Sequence, residues 1–157
     1  KFPGDGMLAV LGVPVLQDPA AEAAAALAAA QEIQAGLEQL NAELLQQDAP
    51  PMRIRAGIHS GEALVGSMGS AERIEYAVIG DTVNCASRLE SLEKHRHQGV
   101  MRVLVSQNTL DILHPKVRQQ LLLEAWGSVR VKGRDKPLEV SELKMNNEPV
   151  TTQARPT

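Results

Sequence analysis

The sequence predicts an α/β (α+β) domain in which helices cover a sheet. Apolar, β-branched runs of strand length recur along the 157 residues and are separated by segments of helical periodicity. The longest helical segment is opened by Asp18-Pro19 and closed by Asp48-Ala49-Pro50-Pro51. Gly- and Pro-containing clusters punctuate the remainder, as turns between packed elements require.

In chain order, Gly4-Asp5-Gly6 reads as a tight turn, and residues 7–15 (M-L-A-V-L-G-V-P-V) as a buried strand. Asp18 caps a helix whose first position is Pro19. To about Gln47 that helix is Ala-rich, and Ile33, Leu37, Leu40 and Leu44 recur at the spacing of one buried face. Residues 52–66 alternate as a strand. A Gly/Ser-rich turn at 66–71 then leads to a strand at 73–79, giving a hairpin or extended arm. A helix from Asp81, a loop around His95–Gly99, a strand at 101–106 and a short helix at Gln107–Leu113 follow. Strands at 121–132 and 137–143 flank Gly133-Arg134-Asp135-Lys136. Residues 1–144 are expected to form one domain, and the polar residues 145–157 a flexible tail.

Composition excludes several classes of function. Phe2, Tyr76 and Trp126 are the only aromatic residues, too few for a base-stacking platform, and the net charge of −3 disfavours a nucleic-acid surface. No apolar run reaches the length of a membrane span. Cys85 is the one cysteine, so no intramolecular disulfide forms, which fits a reducing, cytoplasmic compartment. Its place in an apolar helical stripe marks it as a small core residue. The chain begins mid-element at Lys1-Phe2-Pro3-Gly4-Asp5, which reads as the start of a fragment. Any membrane tether would then lie in upstream segments.

The most informative stretch is Arg73–Glu90, R-I-E-Y-A-V-I-G-D-T-V-N-C-A-S-R-L-E. Its strand stops at Gly80, and Asp81 can N-cap the helix that follows. At about 100° per residue, Asn84 and Arg88 share one face, while Cys85, Leu89 and Leu92 line the neighbouring stripe. An amide beside a guanidinium suits a phosphorylated, sugar-bearing ligand, because Arg offers phosphate a planar fork of donors. By spacing alone, the same pattern also describes an amphipathic helix with solvated polar residues.

Four motifs in order, G-D-G (4–6), R-A-G-I-H-S-G-E (55–62), E-Y-A-V-I-G-D-T-V-N-C-A-S-R-L-E (75–90) and V-K-G-R (131–134), resemble the catalytic domain of class III adenylate and guanylate cyclases. The resemblance is collinear from residue 1 to about 143. It implies a ferredoxin-like βαβ-type sheet covered by helices, here lacking its first strand. It also implies a homodimer with active sites at the interface and two divalent cations, Mg²⁺ or Mn²⁺. Asp5 matches one metal-binding aspartate, and hard cations prefer such carboxylate oxygens. The family's other metal aspartate lies in an upstream motif that this sequence does not contain, so the isolated piece is expected to be inactive. Asn84 matches the residue that positions the ribose, and Arg88 the one that stabilises charge on the phosphates. Arg134 resembles the basic residue that grips the terminal phosphates, with Lys132 or Lys136 as alternatives.

Base choice rests, by the same resemblance, on two positions. Lys1 matches the lysine of ATP-using members; its ammonium can donate to adenine N1, whereas guanine presents N1–H there. The second position is Ala77, which has no side-chain hydrogen bond to give. The expected reaction is ATP to 3′,5′-cyclic AMP and pyrophosphate. The alternatives are guanylate cyclase activity, or a silent nucleotide-binding and dimerisation module. His59 falls in a stretch the family uses structurally. His95 and His97 fall in a basic surface loop, and none of the three is expected to be functional.

Overall fold

The computed structural model describes residues 4–15, 18–70, 73–97, 99–131 and 134–144. Lys1, Lys132 and the tail at 145–157 lie outside them. Helix α1, Pro19–Gln46, starts where expected: Asp18 Oδ1 accepts a hydrogen bond from the Ala20 amide at 3.0 Å, and Pro19 supplies a preset φ at the first position. Its buried residues are Ala23, Leu27, Ala30 and Leu37. Of the expected stripe only Leu37 is among them; Ile33 and Leu40 are 38% and 39% exposed. The contact face is thus turned by roughly 60° about the axis, at 100° per residue. Small alanines let the first half of the helix sit close to the core, and that half decides which way the helix faces.

The main sheet has the order β1-β4-β6-β5, with β1 Ile54–Ile58, β4 Met101–Ser106, β5 Leu122–Val129 and β6 Leu138–Lys144. Strands β1 and β4 are parallel; the β4–β6 and β5–β6 pairs are antiparallel. Every residue of β4 is buried, as befits a central strand covered on both faces. Met101, Val103 and Val105 join a core with α1, while Leu104 joins a second core with Cys85, Leu89, Val131, Leu138 and Val140. The second core lies beneath α2, Asp81–Ser91. Two short helices follow β4. Ser106 caps α3, Gln107–Ile112, and His114 caps α4, Pro115–Gln119, which the sequence reading did not include. Its signal, a capping side chain followed by Pro, is the one that marks α1.

Two expected strands are different in the structure. The run 52–66 is broken: β1 ends at Ile58, and Leu64–Ser70 forms a separate strand, β2, paired with β3, Arg73–Ile79. The register runs from Leu64 opposite Ile79 to Ser70 opposite Arg73, so 66–70 is strand and not the expected turn. Alternation alone did not reveal that the two halves serve different sheets. Residues 7–15 form no strand; Met7, Val10, Leu11 and Val15 are exposed, and Pro14 has no N–H for a ladder. Apolar character makes a strand only where a neighbouring backbone completes its hydrogen bonds, and no described strand pairs with this segment.

Candidate active site

Helix α2 holds the candidate residues, and its position is set from three directions. At its start, Gly80 with φ 152° occupies the N-cap, a conformation that disfavours a side chain. Asp81 is therefore the first helical residue and not the cap expected from sequence. Its carboxylate lies near the positive end of the helix and faces Arg134, with Arg134 Nη1 at 3.4 Å from Asp81 Oδ2. Thr82 Oγ1 donates to the carbonyl of Glu62, tying the same turn to the connection after β1. In the middle, Gly57 of β1 meets the helix backbone so closely that an added Cβ would lie 2.2 Å from the Ala86 carbonyl oxygen. At the far end, Arg102 donates to the carbonyls of Glu90, Leu92 and Glu93 at 3.0, 2.6 and 2.8 Å.

On this clamped helix Cys85 and Leu89 are buried, and Leu92 packs against the same core, as the helical spacing requires. Asn84 and Arg88 are exposed together on the adjoining face. Ala77 is half-buried in β3, opposite Gly66, on the strand that leads into α2. Asp5 occupies an exposed turn after Gly4, whose φ is 64°. No hydrogen bond or ion pair among the described residues ties Asp5 to α2, and no three His, Cys, Asp or Glu side chains among them converge as a metal cluster. The structure thus places Asn84 and Arg88 side by side and joins Arg134 to their helix through Asp81.

The local electrostatics separate structural from reactive groups. Burial raises the pKa of the Cys85 thiol, with Arg134 opposing and Asp81 adding to the effect, so the sulfur stays a neutral core group. Arg134 Nη1 also donates to Cys85 Sγ at 3.4 Å, and that bond is the main cause of its raised pKa. Burial lowers the pKa of His59, and Arg134 lowers it further against Asp81. Its Nδ1 pairs with Ser106 Oγ at 2.8 Å, a structural role. Burial likewise lowers His97, followed by Arg102, Arg55 and Arg53. The positive field of these arginines opposes a further cation at His97. The groups missed from sequence were Gly57, the Asp81–Arg134 pair and Arg102. Only Arg102 left a signal, a lone charge inside the apolar run M-R-V-L-V.

The chain matches the adenylate and guanylate cyclase catalytic domain over residues 1–144. It is 34% identical over 145 residues to adenylate cyclase 1 of Rhizobium meliloti (strain 1021), covering 91% of this chain and 20% of that protein. The structure superposes on the adenylyl cyclase CyaB from P. aeruginosa with a TM-score of 0.74 at 25% identity, over 88% of this chain and 67% of the other. The guanylyl cyclase Cya2 superposes with a TM-score of 0.68 at 28% identity, over 88% and 64%. The chain spans about a fifth to a quarter of the length of the curated relatives it matches. Among the described residues no helix is long and apolar enough to cross a membrane.

Proposed function

The chain belongs to the adenylate and guanylate cyclase catalytic-domain family, and from that premise we propose that it makes 3′,5′-cyclic AMP and pyrophosphate from ATP. The observation that carries the reading is the pair Asn84 and Arg88, exposed together on a helix held against the sheet. The Asn84 amide orients the ribose so that its 3′-oxygen lies in line with the α-phosphorus. The Arg88 guanidinium donates to the phosphate oxygens as negative charge shifts toward the leaving pyrophosphate. Because α2 is clamped to the sheet, its backbone carries both groups on one fixed face. Lys1 donates to adenine N1. Arg134 stands at the start of α2 on Asp81; gripping a terminal phosphate exchanges one oxyanion partner for another.

Divalent cations, when bound, supply the acidification of the 3′-hydroxyl and the neutralisation of the triphosphate. Asp5 fits as a ligand to such an ion, since Mg²⁺ is commonly held by one or two carboxylates with the remaining positions filled by substrate phosphates and water. The working form is a homodimer in which Asp5 of one chain meets Asn84 and Arg88 of its partner. Leu64 and Ile79, 79% and 48% exposed on the β2–β3 hairpin, form an apolar surface that a second copy would cover.

Guanylate cyclase activity is the second reading. Ala77 offers no side-chain hydrogen bond to either base and so leaves it open, and the likeness to a guanylyl cyclase favours it. The test is cyclic-nucleotide production from ATP and from GTP by the full-length protein with Mg²⁺ or Mn²⁺. ATP should be the better substrate, and both activities should fall by on the order of 10²–10³ in Arg88→Ala. Equal or greater use of GTP overturns the assignment to ATP, and the absence of either product overturns cyclase activity.

A further inference from the structure

Arg102 is out of place in its strand. It is 1% exposed within β4, between Met101 and Val103, where every neighbour is buried. Its hydrogen-bond acceptors are three backbone carbonyls and no carboxylate, and its Nε–H has no partner in the structure. A guanidinium buried without a bonded counter-ion is costly, and an aliphatic residue packs such a position at lower cost. Its use must lie in what it holds.

What it holds is the end of α2. The last carbonyls of a helix lack intrahelical partners, and helices commonly satisfy them through a left-handed glycine. Here the chain leaves α2 through Leu92 in extended conformation and Glu93 in the left-handed region at φ 36°, with no glycine. The carbonyls of 90, 92 and 93 converge instead on the Arg102 fork, which the negative end of the helix also favours. The fork is itself fixed: Arg102 and Arg96 stack on Trp126, at 5.2 and 3.9 Å from the ring centroid, and Trp126 Nε1 donates to Glu142 Oε2 at 2.9 Å. This network ties the last turn of α2 to strands β4, β5 and β6. Arg88 sits in that last turn.

We propose that Arg102 is a positioning residue for the cyclase reaction, holding the last turn of α2 so that the Arg88 guanidinium meets the phosphates in a fixed geometry. This rests on the reading of Arg88 given above. The experiment crosses Arg102→Met with Arg88→Ala in the full-length protein, well below the unfolding midpoint of each variant. Arg102→Met should lower kcat on the order of 10-fold, with KM for ATP nearly unchanged. In the Arg88→Ala background it should cost almost nothing further, because its effect runs through Arg88. A purely structural role predicts the same fold-loss in both backgrounds, and that result overturns the proposal, as does an unchanged kcat. Amide hydrogen exchange should quicken at 88–92 in Arg102→Met while β4 stays protected. If Arg102→Met does not fold, Arg102→Lys, which keeps the charge but not the fork, is read the same way, and wild-type kcat and exchange in it overturn the proposal. If the wild-type protein makes no cyclic nucleotide, the reading of Arg88 fails separately, and unchanged exchange at 88–92 overturns the role of Arg102.

Discussion

Replacing Gly57 by alanine tests whether the position of α2 governs both stability and chemistry. The added Cβ lies 2.2 Å from the Ala86 carbonyl oxygen, 2.5 Å from the Glu90 nitrogen and 2.8 Å from Leu89 Cβ. Comfortable heavy-atom contacts begin near ~3.5 Å, so the helix must retreat by roughly 1 Å. Two of the three atoms are backbone, and no rotamer change can relieve them. Overpacking of this kind costs about 1–3 kcal/mol. A shift of that size in groups that orient a substrate costs on the order of 10²-fold in rate. Thermal unfolding and steady-state cyclic-nucleotide production, measured on the same samples, read the two effects separately. Gly36→Ala serves as the comparison: nothing lies within 4 Å of its added Cβ. In the interior of α1 it should stabilise by about 1 kcal/mol and leave turnover alone. A Gly57→Ala protein with wild-type midpoint and wild-type kcat would refute the close approach of β1 and α2.

Substituting Asn84 or Arg88 with alanine should each lower kcat by on the order of 10²–10³ with no loss of thermal stability, since both side chains are exposed; an equal drop in unfolding midpoint would mark them as structural. Asp18→Ala removes the acceptor for the Ala20 amide and should destabilise by about 1 kcal/mol, visible as a lower midpoint with turnover unchanged. The half-buried histidines give a pH dependence. The folded-state pKa values of His59 and His97 lie below the ordinary 6.5, mainly through burial, so the unfolded chain binds protons first as pH falls. Their contribution is full above about 6.5 and is lost as pH drops through the folded values, so the unfolding midpoint should fall on acidification. His97→Gln should flatten that fall, and a midpoint that rises below about pH 6 in the wild type would contradict it.

Local signals in the chain determined a good deal. Asp18-Pro19 starts α1 because a cap and its proline act within one turn, and Gly80 separates β3 from α2 for the same short-range reason. The spacing of Asn84, Cys85, Arg88 and Leu89 places two on an exposed face and two in the core, since helical periodicity needs no knowledge of the partner. The motif around them identified the family. Tertiary structure alone decided which face of α1 is buried, because that depends on where small alanines let the helix approach. It also decided that 52–66 serves two sheets and that 7–15 forms no strand, because a ladder is made with a distant neighbour. Arg134 meets Cys85 across 49 positions of sequence, and Arg102 reaches the end of α2 from another element. Hydrogen bonds between separate elements follow no spacing rule, so what these two arginines hold became legible only in the folded chain.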